Sequence, residues 1–287
     1  AILCVWATKI PGEPRPMIHQ IIATGRPGEV RQMHWIVCLI VAISVLGNGL
    51  NAPSALALQT NNDSDRESVG ANEAGLEDPL GVLGGEIDNK RIYDAFVAAG
   101  QKIIDSPVGL DVETIQRSLR FSERSTLTCP AAVDGAGKFP YEQVAKSSLL
   151  FGTLYDCGKC DEMHGNIAGG VVISDDGLCL TNHHVLERRD QDTRVIFAMD
   201  YAGRGYAVEE ILASNRLADV ALVRLKGEGP FYPAPIAKEL PRPNSPTYVL
   251  SHPSSEFYVL THGIVSRHVT LAQRRGKSQW LEVTAPF

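Results

Sequence analysis

An excess of positive charge is absent: 27 Lys and Arg stand against 33 Asp and Glu, for a net charge of −6. A chain with that balance offers no electrostatic footprint to a phosphate backbone, which argues against nucleic-acid binding. Cysteine is scarce as well, with six in 287 residues, too few for a disulfide scaffold to stand in for a core. The 17 prolines and 26 glycines fall far short of a collagen-like or low-complexity composition. A mean hydropathy of −0.05 excludes a bundle of membrane spans. What remains is ordinary globular composition, 44% hydrophobic and 21% charged, at a length that fits one or two domains of roughly 150 residues each.

The apolar run Trp35–Gly47, WIVCLIVAISVLG, is shorter than the roughly 20 residues that span a bilayer. Polar Asn48 and Asn51 follow it, then the small-x-small site Ala55-Leu56-Ala57. That is the outline of a signal peptide cleaved after Ala57. An uncleaved anchor extended through Leu50–Leu58 is the competing reading of the same hydropathy. The sequence opens on Ala1 and offers Met17 or Met33 as a start. Residues 1–57 are expected to be an untranslated-looking leader plus signal peptide, and the protein to be exported, periplasmic or secreted, with no stable membrane span after cleavage. Cys129, Cys157, Cys160 and Cys179 would then face an oxidising compartment.

Residues 58–90 are rich in Asn, Asp, Glu, Ser and Gly, too polar to offset ordering entropy, and predict a disordered linker. Over 91–143 the pattern predicts a helical pre-segment. Ile92, Phe96, Val97, Ile103 and Ile104 mark one helical face ended by Pro107, and Val112, Ile115 and Leu119 mark a second, with Asp111 as N-cap. Its apolar faces fit either packing on the next domain or association. From 144 to 287 short apolar runs alternate with turn signals: 148–154, 168–174, 178–181, 195–199, 220–225, 247–251 and 258–265. That spacing predicts a mostly β unit, a barrel or a sandwich.

The chemistry concentrates in Gly169–Leu186, GGVVISDDGLCLTNHHVL. A strand, a tight Asp175-Asp176-Gly177 turn and a second strand lead to His183 and His184 at the strand end. A sheet fixes the backbone there while an imidazole, which exchanges protons near neutral pH, projects into a cleft. Further on, Asp219 stands at the mouth of the apolar run Val220–Leu225. A carboxylate drawn into such a place needs a partner, and an imidazole N–H is a suitable one.

With Gly170, Gly177, Leu180, Thr181, Asn182, His184 and Val185, and then Asp219, Ala221, Leu222 and Leu225, the chain resembles the trypsin-like serine endopeptidases, particularly their HtrA/Deg-like branch. Val249–Pro253 and Thr261–Ser266 resemble that family's segments at the start of the second barrel. The resemblance implies a trypsin-like double β-barrel, here the first barrel plus part of the second, preceded by a short helical segment. It also implies cleavage of protein or peptide substrates through an acyl-enzyme, with no cofactor. His184 would be the general base and Asp219 the residue that orients it; His183 is the runner-up base. The family's nucleophile is a Ser within G-x-S-G-G, whose N–H groups form the oxyanion hole.

No G-x-S-G-G occurs in the sequence, and Trp280–Phe287 resembles the strand leading into that loop. The chain is therefore expected to stop short of its nucleophile and to be inactive. Ser251, Ser254, Ser255, Ser266 and Ser278 lack flanking glycines. The alternatives are a non-catalytic extracellular binding module on the same scaffold, or a small zinc-binding module around Cys157, Cys160 and His164. The C-x2-C-x3-H spacing suits zinc, a disulfide explains the two cysteines as well, and no metal site is assigned. Cys179 alternates with Leu178 and Leu180 and reads as a small apolar filler. Asp175-Asp176-Gly177 lacks the further carboxylates of a calcium cage, and Arg274-Arg275-Gly276-Lys277 reads as a solvated basic loop.

Overall fold

The computed structural model describes residues 78–120, 141–187, 192–227, 229–237, 240–273 and 276–286, and within the first 40 residues five strand fragments of two or three residues each. The apolar run apart from the fragment Cys38–Leu39, the cleavage site, residues 58–77 of the linker, Cys129 and the Arg274-Arg275 pair lie outside the described residues.

Six antiparallel strands close into a barrel: β1 Ser148–Asp156, β2 Met163–Val172, β3 Leu178–Thr181, β4 Thr193–Met199, β5 Gly205–Asn215 and β6 Val220–Lys226, in the order β5-β6-β3-β2-β1-β4. Alternate residues fill it: Leu149 and Phe151 from β1, Ile196 and Ala198 from β4, Tyr206 and Val208 from β5, Ala221, Val223 and Leu225 from β6. The residues between them are buried too, since Leu150, Leu154, Phe197 and Met199 face a second apolar layer outside the barrel. Two covered faces explain why these strands read as continuous apolar runs.

Part of that covering is helical. Helix α1, Asn89–Asp105, starts at Asp88, whose carboxylate accepts the Arg91 N–H at 3.1 Å. It lays Ile92, Phe96 and Ala99 on the barrel, with the Phe96 and Phe197 rings 4.4 Å apart. Helix α2, Val112–Arg120, has Asp111 accepting the Thr114 N–H at 2.6 Å and sends Val112, Ile115 and Leu119 into the barrel core. The helical segment thus packs on the barrel. Leu80 and Val82, within the stretch expected to be linker, are buried in the layer beneath α1, because two apolar side chains suffice to anchor a Gly-rich turn when a ready-made apolar face is adjacent. Helix α3, Tyr141–Ser147, runs directly into β1.

Beyond the barrel, β7 Pro246–Ser251, β8 Val259–Gln273 and β9 Gly276–Val283 form an antiparallel meander within a second sheet, whose other members are fragments from the first 40 residues. Among the described residues no helix is long and apolar enough to cross a membrane.

Candidate active site

Register delivers the two site residues to one place. Thr181 pairs with Gly170 on one side and Ala221 on the other, and its hydroxyl donates to the Gly169 carbonyl at 2.9 Å. That clamp fixes the end of β3 between β2 and β6. Asn182 is still extended; the next four residues, His183–Leu186, make the single helical turn α4. Successive side chains of such a turn point about 100° apart, so the adjacent histidines part company.

His184 turns towards Asp219, which ends the Arg216–Asp219 turn ahead of β6. Asp219 Oδ2 lies 2.6 Å from His184 Nδ1, and Oδ1 accepts the His184 backbone N–H at 3.0 Å. Asn182 brackets the carboxylate from the other side, donating from Nδ2 to the Asp219 carbonyl at 2.9 Å and to Oδ2 at 3.3 Å. The backbone of Asp219 sits at φ +51°, a left-handed conformation that Asp and Asn tolerate better than other side chains. A carboxylate accepts at Nδ1, which places the neutral imidazole's proton there and leaves the Nε2 lone pair free. His184 Nε2 is buried and has no hydrogen-bond partner among the described residues. Both side chains keep 19% of their surface exposed. An oriented imidazole with a vacant nitrogen at the edge of water, backed by a carboxylate, is equipped to take up a proton and stabilise the resulting cation.

His183 is spent elsewhere. Its Nδ1 lies 2.5 Å from Ser214 Oγ and its Nε2 3.3 Å from Glu187 Oε1, and burial lowers its pKa against the raising effect of Glu187. With both nitrogens engaged it has no lone pair to offer as a base. Ser214, Glu187 and the bracketing role of Asn182 escaped the sequence reading; only Asn182 carried a signal there, its place in the L-T-N-x-H run.

Of the candidate serines, none meets His184 Nε2 within the described residues. Ser251 is fully buried, Ser254 and Ser255 occupy a short exposed 3-10 turn, and Ser266 is exposed on β8. Ser278 belongs to β9, its side chain outside the described residues. At the Asp175-Asp176-Gly177 turn, Asp176 binds Arg224 Nη1 at 2.5 Å and the Ser174 hydroxyl, so one of its carboxylates is already spent on the hairpin.

A second cluster lies at the other end of β2. Cys157 and Cys160 Sγ are 3.3 Å apart, and Cys160 Sγ is 3.0 Å from His164 Nε2. Cys157 and Cys160 belong to the connection between β1 and β2, and His164 to the start of β2, at the tip of that hairpin. The Lys159 amide, the Cys160 thiol and amide, and His164 together bring the Cys157 thiol down to about 7. Cys179 is fully buried, and burial pushes its thiol far up, in keeping with a filler.

A family model described as a trypsin-like peptidase domain matches residues 168–287. That span runs from the middle of β2 through α4, His184, Asp219 and the second sheet, rather less than half of the chain. No curated protein matches the chain. The closed six-stranded antiparallel barrel is consistent with a trypsin-like barrel fold, and the domain match supports a protease-type function, for which proteins are the substrates.

Proposed function

We propose that the chain carries the proton-transfer half of a serine endopeptidase. His184 is the general base for a serine hydroxyl and then the acid that protonates the leaving amine; Asp219 orients it and stabilises its imidazolium. The observation that carries this reading is the 2.6 Å contact of His184 Nδ1 with Asp219 Oδ2, beside an Nε2 without a partner among the described residues. In the full reaction the serine oxygen bonds to the scissile carbonyl carbon as its proton passes to Nε2. The C–N bond breaks as that proton moves to the amine, and water releases the acyl group by the reverse transfer. The L-T-N-x-H-V run supports the HtrA/Deg-like branch, and the run Trp35–Ala57 supports an exported protein whose peptidase unit spans 144–287.

The 287 residues hold no G-x-S-G-G, so no hydrolysis is expected from this polypeptide alone. The same observation favours the second reading, a non-catalytic binding module on the barrel. Expressing the gene with the reading frame that follows the Phe287 codon, and labelling with a fluorophosphonate, separates the two. Serine endopeptidase chemistry requires labelling that His184→Ala abolishes. An extended product that does not label, or one that labels equally without His184, defeats the assignment.

A further inference from the structure

The cluster at the tip of the β1–β2 hairpin takes no part in the chemistry proposed above. Thr181 pairs with Gly170, seven residues along β2 from Met163, and at ~3.3 Å per residue the tip lies on the order of 20 Å from the end of β3 that bears His184. We propose that Cys157, Cys160 and His164 bind one thiophilic divalent cation of the zinc class, which clips the hairpin closed.

Three donors from a short connection already converge. One nitrogen and two sulfurs lie within 4.8 Å of one another; the two short contacts, 3.3 Å and 3.0 Å, need to open by about half an ångström while the longer separation of Cys157 from His164 closes. Ligands ~2.3 Å and ~2.0 Å from a tetrahedral zinc sit about 3.5–3.8 Å apart. The loop is tightly turned. Gly158 at φ +64° folds the chain between the two cysteines, and its N–H donates to Asp156 Oδ1 at 2.7 Å, which holds the turn at the end of β1. A disulfide would use the two cysteines and leave the approach of His164 Nε2 to Cys160 Sγ without a purpose. Binding displaces the thiol protons of Cys157 and Cys160, and water supplies the fourth donor at this exposed site. The clip has something to hold: next to His164, the Gly165 N–H donates to the Tyr93 hydroxyl of α1 at 3.0 Å, so the hairpin end forms part of the seat of that helix.

The test uses the whole chain, reduced and freed of metal, titrated with Co2+ and then with Zn2+. One equivalent of Co2+ is expected to give thiolate-to-cobalt charge transfer and the visible bands of a tetrahedral ion, displaced by one equivalent of Zn2+, with a rise in the thermal midpoint. Loss of an outer-shell group alone weakens metal sites about 10–100-fold, so His164→Ala and Cys160→Ser are each expected to weaken Zn2+ by at least about tenfold, with far-ultraviolet dichroism unchanged. His184→Ala is expected to bind as the parent does, which separates this result from the fate of the peptidase reading. Absence of the cobalt spectrum in the parent chain overturns the proposal without any variant, as does unaltered affinity in His164→Ala. A stable Cys157–Cys160 disulfide that forms in the presence of equimolar Zn2+ overturns it equally.

Discussion

Asp219 carries more of the site than its single charge implies. Its carboxylate accepts from the ring and the backbone of His184 and from Asn182, and its carbonyl accepts from Asn182 again. Asp219→Asn separates charge from shape, because Asn also tolerates the φ of +51°. The amide still offers one oxygen but can no longer accept from both the ring and the backbone of His184. In proton NMR of this chain a strongly downfield imidazole N–H is expected, absent in His184→Ala and lost or moved far upfield in Asp219→Asn. Losing a charge-assisted, partly buried hydrogen bond costs about 1.5–3 kcal/mol, measurable by urea denaturation. A downfield signal that survives Asp219→Asn would mean that another group holds Nδ1. The residues of this pair were legible in the sequence, from a strand end and from an acid at the mouth of an apolar run. Their separation from His183 was not, because the single turn of helix that parts the two rings is only four residues long and leaves no periodic trace.

At the scale of elements, the seat of α1 on the barrel sets two effects against each other. Gly100 lies in the interior of α1, where replacement by Ala ordinarily gains about 1 kcal/mol of helix propensity. Here an added Cβ would come 2.5 Å from Leu154 Cδ1 and 2.7 Å from Phe197 Cε1. Leu154 can rotate, whereas Phe197 is fully buried between β4 and the Phe96 ring. Overpacking of that kind costs about 1–3 kcal/mol, so Gly100→Ala is expected to lower the urea midpoint. A rise would show that α1 stands off the barrel in solution. The same packing accounts for which elements could be read in advance. Strands β1, β3, β4 and β6 are apolar on both faces and announced themselves between turn residues. Strand β5 went unread because two register irregularities, at Val208/Glu210 and Ile211/Ala213, break its alternation and place Glu209 and Glu210 together on the outside. The first half of β2 and the last half of β8 hid for a different reason: HGN and SRH look like loops, and their partner strands make them sheet.

The barrel, the second sheet and α1 meet at one fully buried imidazole. His252, just after β7, accepts the Tyr258 N–H at Nδ1 over 3.0 Å, which leaves the proton on Nε2 to donate to Ser148 at the start of β1 over 3.3 Å. Asn89, the first residue of α1, accepts the neighbouring Phe257 N–H at 2.9 Å. The rings around His252 are those of Phe257 and Tyr258, and Tyr258 is itself held far above the usual phenol range by burial, then by Asp200, Tyr141 and Asp78. Burial pulls the His252 pKa down to about 3, against an ordinary value near 6.5. Above about pH 6.5 both the folded and the unfolded chain keep this ring neutral, and it adds no pH dependence. Between there and about pH 3 the unfolded chain takes up a proton that the folded chain refuses, so stability falls with acid by about 1.4 kcal/mol per pH unit. His183, also shifted downward by burial, adds to the same slope. Urea denaturation at about pH 7 and about pH 5 is expected to differ by at least about 2 kcal/mol on account of His252. His252→Asn keeps an acceptor for the Tyr258 amide and drops the contact with Ser148. It is expected to be less stable at neutral pH by about 1–3 kcal/mol, yet to lose less on acidification. An acid slope as steep in His252→Asn as in the parent would place the responsible group elsewhere, and the junction of the two sheets would then have to tolerate a charge at its centre.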